Sequence, residues 1–142
     1  MLNLKVILPM LTDFFHQNDY CWIAYLFGSY QDGTAHAKSD LDLAVLFKKD
    51  TDLWQEMAFQ AEVSKLLHFE KIDLVNLSKT PLRMQFIIIS TGQLIYEADD
   101  EVTSGFLERI LHQYHDREYR YRAFFKDWDE GLKEDYCNGE SR

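Results

Sequence analysis

Residues Asp40 to Phe47 read DLDLAVLF, and this run restricts the fold more than any other stretch of the chain. Its aliphatic content and period-two alternation describe a strand, in which side chains two apart share a face with Cα atoms roughly 6.5–7 Å apart. Leu41, Leu43, Val45 and Phe47 then point one way to be buried, and Asp40 and Asp42 point the other. A carboxylate on an apolar strand is costly unless something positive meets it. The strand must therefore border a cleft. Two carboxylates this close also repel, which raises the pKa of one unless a cation is supplied. Mg²⁺ is the natural cation, since it takes hard oxygen ligands, keeps waters and completes its octahedron with substrate phosphates.

Two further features fit such a cleft. Gly28-Ser29 follows the aromatic, β-prone run Cys21 to Phe27. The glycine permits close backbone approach to a phosphate, the serine offers a hydroxyl and a main-chain N–H, and a following helical turn would add its positive end. Asp73 is a third carboxylate embedded in an apolar run, between Ile72 and Leu74. If its strand pairs beside that of Asp42, three acidic groups suffice for two metal ions, one activating an attacking oxygen and one steadying a leaving phosphate. Taken singly, Gly-Ser can be an ordinary turn and Asp73 a strand-end residue facing water; the joint arrangement is the specific signal.

The rest of the chain reads as alternating helices and strands. Helical spacing runs from about Leu2 to Gln17, with Pro9 either beginning that helix or kinking it. Residues 30–39 are a loop or a broken helical turn. Thr51 or Asp52 caps a helix to about Leu67 with Leu53, Met57 and Ala61 along one face, and FEKIDLVNL from Phe69 to Leu77 is the third strand. Pro81 starts a further helix and Gly92 stops it, before a short strand from Gln93 to Tyr96. From about Glu101 to Trp128 the pattern is helical, with Phe106, Ile110, Tyr114, Tyr121, Phe125 and Trp128 on one stripe. The expected fold is therefore α/β, a small mixed sheet flanked by helices.

The chain of 142 residues suits one domain over 1–142, with a core at about 20–97, a C-terminal helix at about 101–128 and a polar, frayed tail from 131 to 142. No apolar run reaches membrane-spanning length and no secretory pattern opens the sequence, so a cytoplasmic protein with no membrane association is expected. Cys21 and Cys137 lack metal-site spacing and are expected to be reduced thiols. A formal net charge of −9 disfavours direct binding of nucleic acid and suits a basic protein partner.

Gly28-Ser29, ten residues, then Asp40-Leu41-Asp42 resembles the GSx10DxD signature of the DNA polymerase β-like nucleotidyltransferases, with Asp73 in a strand where that superfamily carries its third acidic residue. The short chain and the Pro81 to Tyr96 segment look like the minimal nucleotidyltransferase (MNT) branch, and the resemblance covers roughly Cys21 to Tyr96. Many members of that branch resemble antitoxins encoded beside HEPN-domain ribonuclease toxins, and adenylylate a toxin tyrosine using ATP. The resemblance implies that Gly28 and Ser29 hold the β- and γ-phosphates, that Asp40 and Asp42 bind both metal ions, and that Asp73 completes the site nearest the nucleophile. It also implies ATP as substrate, Mg²⁺ as cofactor, and a HEPN toxin as partner in a hetero-oligomer. Two alternatives are a small-molecule nucleotidyltransferase of the aminoglycoside-modifying kind, which generally needs more structure for its acceptor, and an antitoxin acting by occlusion alone, which the intact acidic triad disfavours.

Other residues read more blandly. Arg109 and His115 fit the loose Arg-x4-6-His pattern of HEPN ribonucleases, but that pattern belongs to an all-helical bundle. His36 reads as a solvated loop histidine. Arg83 reaches either a nucleotide or a surface carboxylate. The aromatic stripe is core, while Arg117, Tyr119, Arg120 and Arg122 give the last helix a face suited to protein contact.

Overall fold

The computed structural model describes residues 2–136, with side chains described through residue 118. Helix α1 (Leu4–Asn18) starts where the Asn3 side chain accepts a hydrogen bond from the Lys5 N–H at 3.0 Å, and ends where Asp19 turns left-handed at φ 53°. Pro9 lies inside this helix rather than at its start. Ile7, Leu11 and Phe15, spaced four apart, form its buried stripe.

Strands β1 (Cys21–Phe27), β2 (Leu41–Phe47), β3 (Ile72–Asn76) and β4 (Gln93–Glu97) make one mixed sheet in the order β3-β2-β1-β4. β1 is antiparallel to β2 and β4, whereas β2 and β3 are parallel. The parallel pair needs a crossover, supplied by α3 (Leu53–Leu67). Between β1 and β2 sits α2 (Ser29–Asp32), a single turn closed by Gly33 at φ 85°; the broken turn expected after Gly28-Ser29 is thus present.

Both faces of the sheet are covered. Leu41, Leu43 and Val45 of β2 pack with Ala24 and Leu26 of β1 against α1 and α3. On the opposite face, Ile23, Tyr25 and Ala44 meet Ile88 of α4 (Leu82–Thr91) and Phe106 and Ile110 of α5 (Asp100–Tyr136). An irregularity between Cys21 and Ile23 shifts the β1 register, which places Cys21 with Ala24 and Leu26. Burial pushes the Cys21 thiol up to about 12, so it stays protonated; Cys137 lies outside the described residues.

Three expectations are corrected. On α3 the stripe Leu53, Met57 and Ala61 faces solvent, with Leu53 68% and Met57 51% exposed, while Phe59, Val63 and Leu67 face the core. The helix carries two apolar stripes, and the one bearing Phe59 wins because that ring meets Phe14, Phe15, Tyr20 and Phe47. Asp52 is its cap, in a reciprocal pair with Gln55. β3 is shorter than Phe69 to Leu77, because Phe69 still closes α3 by bonding the Ser64 carbonyl at 3.1 Å and Leu77 opens a 3-10 turn, Leu77–Lys79. Finally, α5 continues past Trp128 and Gly131 to Tyr136, through Glu130, Leu132, Lys133 and Glu134, all good helix formers. The side chains of Tyr119, Arg120, Tyr121, Arg122, Phe125 and Trp128 lie outside the described ones.

Pro81 and Gly92 bound α4 as expected: the Gly92 N–H bonds the Ile88 carbonyl at 2.8 Å, and a Cβ there would stand 2.5 Å from that oxygen. Among the described residues no helix is long and apolar enough to cross a membrane.

Candidate active site

The end of β1 and the beginnings of β2 and β3 coincide at one edge of the sheet. Phe27 pairs with Asp42 across the antiparallel ladder, and Asp42 pairs with Asp73 across the parallel one. Neighbouring strands stand about 4.8 Å apart, so these registers alone bring Asp73 beside Asp42 and the Gly28-Ser29 turn over them. Asp40 immediately precedes β2 and is exposed. Five residues drawn from three separate stretches of sequence therefore share one site.

Gly28 adopts φ 74°, ψ −154°, a region essentially restricted to glycine. A Cβ at this position would lie 2.0 Å from Asp42 Oδ2 and 2.9 Å from its Cγ. The turn thus rests directly on the carboxylate. The N–H groups of Gln31 and Asp32 both bond the Gly28 carbonyl at 3.1 Å, which closes α2 behind it. Ser29 is half-buried at the mouth of the turn.

Burial pushes the Asp42 carboxyl up to about 6, and the Asp73 and Asp40 carboxylates, with a hydrogen bond to Asp73, push it the same way. No lysine or arginine among the described residues offsets them. Such a cluster is short of positive charge, and its donors are all hard oxygens, which suits Mg²⁺ rather than a softer metal. The three carboxylates do not close around a point unaided: among the described residues no three His, Cys, Asp or Glu side chains form a ready ligand set. Like charges at this range repel, and a cation is what would draw them together.

The segment between Ser29 and Asp40 is held by its own side chains. Asp32 Oδ1 accepts from the Thr34 N–H and hydroxyl, which lowers its pKa. Ser39, only 8% exposed, accepts from the His36 N–H at 2.9 Å, and its own N–H donates to the His36 carbonyl at 3.0 Å. That paired contact sets the direction from which Asp40 enters β2. Sequence reading passed Ser39 over; the available signal was a serine abutting a carboxylate strand.

The other candidates are exposed or make contacts of their own. His36 is exposed, with its Nδ1 accepting from the Lys38 N–H at 3.2 Å. Arg83 is exposed on α4. Arg109 and His115 are exposed on α5, with the Arg109 guanidinium over the Phe106 ring at 5.4 Å. Phe106 and Ile110 are core, Tyr114 stacks on Phe86 with centroids 3.9 Å apart, and Arg117 is exposed.

Comparison with known proteins agrees with this geometry. The chain is similar to the protein adenylyltransferase MntA of Shewanella oneidensis, at 30% identity over 82 residues that span 56% of this chain and 58% of that protein. Its fold matches a crystal structure of a toxin-antitoxin with AMP-PNP at TM-score 0.67 and 25% identity, covering 89% of this chain and 98% of that one. A tri-AMPylated Shewanella oneidensis HEPN toxin in complex with its MNT antitoxin contains a chain of the same fold, at TM-score 0.60 and 20% identity over 87% of this chain and 92% of that one. The sequence profile of the polymerase beta nucleotidyltransferases matches residues 10–101, which include all four strands, the Gly28-Ser29 turn and the three carboxylates. The chain belongs to the polymerase beta nucleotidyltransferase family.

Proposed function

We infer that this protein transfers AMP from ATP to a tyrosine hydroxyl of a HEPN-domain ribonuclease and so neutralises it, as the antitoxin of a toxin-antitoxin pair. The observation that carries the reading is the register placing Asp73 beside Asp42 under the Gly28-Ser29 turn. The adenylyltransferase and toxin-antitoxin relatives support the choice of AMP and of a HEPN partner. The net charge of −9 favours a basic protein over RNA.

Asp40, Asp42 and Asp73 would hold Mg²⁺, as two ions. Bound there, the metal supplies charge neutralisation for the triphosphate and the departing pyrophosphate. Gly28, lacking a side chain, lets the triphosphate approach the turn, and Ser29 donates its hydroxyl to a β- or γ-phosphate oxygen. The acceptor oxygen bonds the α-phosphorus as the bond from that phosphorus to the bridging oxygen breaks, and pyrophosphate leaves with the electron pair. A tyrosine hydroxyl has a pKa near 10 and must lose its proton during attack. We assign that proton to Asp73, which is exposed on β3.

Each added AMP brings a charged phosphodiester and a bulky base, which would repel an RNA backbone from a nearby cleft. Intact-mass spectrometry of the partner after incubation with ATP and Mg²⁺ tests the reading: one or more AMP increments are expected on a tyrosine, and inhibition persists after the antitoxin is removed. An unmodified partner that regains activity on separation indicates occlusion alone, and efficient modification of an aminoglycoside instead indicates the small-molecule alternative.

Ser29→Ala is expected to slow transfer by about ten- to a hundredfold, since a hydrogen bond to a charged group contributes about 1.5–3 kcal/mol while the carboxylates remain. Steady-state rates decide this, and a wild-type rate would make the serine purely a turn residue.

A further inference from the structure

Tyr30 follows the Gly28-Ser29 turn directly and is 4% exposed. Its hydroxyl accepts a hydrogen bond from the Leu2 N–H at 3.2 Å, ahead of α1. Its ring meets Phe69 edge-on with centroids 6.5 Å apart. Phe69 is itself fixed, donating its N–H to the Ser64 carbonyl at 3.1 Å and accepting from the Ser64 hydroxyl at 2.6 Å. From Phe69 the chain passes through Lys71, whose carbonyl accepts from the Leu41 N–H at 2.7 Å, to reach Asp73. One side chain thus bridges the turn and the segment that delivers the third carboxylate.

Gly28 adopts a backbone that glycine reaches readily, so nothing in the turn's own conformation locks it in place. The β1–β2 and β2–β3 ladders set the end of β1 beside Asp42 and Asp73, and the hydrogen bonds of α2 close the turn behind Gly28. The Tyr30 ring, held by Phe69 on one side and by Leu2 through its hydroxyl, adds a side-chain tie between the turn and the segment leading into β3.

We propose that Tyr30 is a positioning residue for the nucleotide: it holds the Gly28-Ser29 turn against the Asp42-Asp73 pair, so that Ser29 and the carboxylates engage one triphosphate together. This rests on the nucleotidyl-transfer reading above. Without the ring the turn relaxes away from Asp42, and Ser29 no longer reaches phosphate from the same place.

The test is a double-mutant cycle on the full chain, with Mg·ATP binding read by calorimetry and folding by melting temperature. Tyr30→Leu should weaken binding about three- to tenfold, the range expected for loss of an aromatic pair. Tyr30→Phe, which keeps the ring against Phe69, should retain most of the affinity. Ser29→Ala should weaken binding in the wild type and have little further effect in Tyr30→Leu, because the two act through one turn. Ile110→Ala, in the core on the other face of the sheet, serves as the control: it lowers the melting temperature and leaves Mg·ATP affinity unchanged. If Tyr30→Leu fails to fold, Phe69→Leu removes the same contact from the opposite side and should show the same non-additivity with Ser29→Ala. Additive losses, or wild-type affinity in a destabilised Tyr30→Leu, would overturn the positioning role alone. Absence of Mg·ATP binding by the wild type would overturn the nucleotide reading, and this role with it.

Discussion

Asp42→Asn is expected to lower nucleotidyl transfer by two to three orders of magnitude and, without metal, to make the protein more resistant to heat at neutral pH. The first effect follows from charge: the substitution keeps the volume but removes the carboxylate that faces both Asp73 and Asp40, and loss of one preorganised electrostatic contact costs roughly 10²–10³ in rate. The second follows from linkage. The folded-state carboxyl is raised from 3.8 to about 6, so the folded protein binds a proton that the unfolded chain releases between those values. Stability is therefore lost as pH rises through that window, and the neutral amide removes the loss. Melting curves across the window should show the wild type losing stability relative to the variant as pH rises, with Mg²⁺ restoring the wild type and leaving the variant unmoved. Equal pH dependence in the two proteins would remove the carboxylate repulsion from the account.

Gly28→Ala is expected to be as damaging to transfer, by a different route. Backbone at φ 74° and ψ −154° costs a non-glycine residue about 1–3 kcal/mol. The added methyl would also lie 2.0 Å from Asp42 Oδ2, so either the turn or the carboxylate must move. Both are site elements, and a rate loss of about a hundredfold or more is expected alongside a lowered melting temperature. An active Gly28→Ala enzyme would mean that the turn need not rest on Asp42.

Most of the candidate site's geometry is legible in the sequence because its parts are local. Ten residues separate Gly28-Ser29 from Asp40, and period-two alternation alone puts Asp42 opposite the buried Leu41 and Leu43. The contribution of Asp73 depended on which strand lies beside β2, a non-local fact that became visible only in the parallel register. α3 shows where local reading fails. Leu53, Met57 and Ala61 have helical spacing as regular as that of Phe59, Val63 and Leu67, and the choice between them is made by the aromatic rings of α1 and β2 around Phe59. Ser39 and Tyr30 escaped for the same reason, since the value of each lies in partners brought near by folding. The apolar stripe of α5 ends at Trp128 and the residues from Gly131 on are polar, so periodicity does not mark the last turns of the helix, which Glu130, Leu132, Lys133 and Glu134 favour by propensity alone.

The central claim, attack on the α-phosphorus of ATP by a tyrosine of a HEPN partner, is tested most directly by isotope. Parallel reactions of the purified pair with Mg²⁺ and ATP labelled on either the α- or the γ-phosphate are resolved by denaturing electrophoresis. Label is expected on the partner from α-labelled ATP only, with pyrophosphate released in proportion, and not with Asp42→Asn. Label transferred from the γ-phosphate, or none from either while the pair remains associated and inhibited, would contradict it.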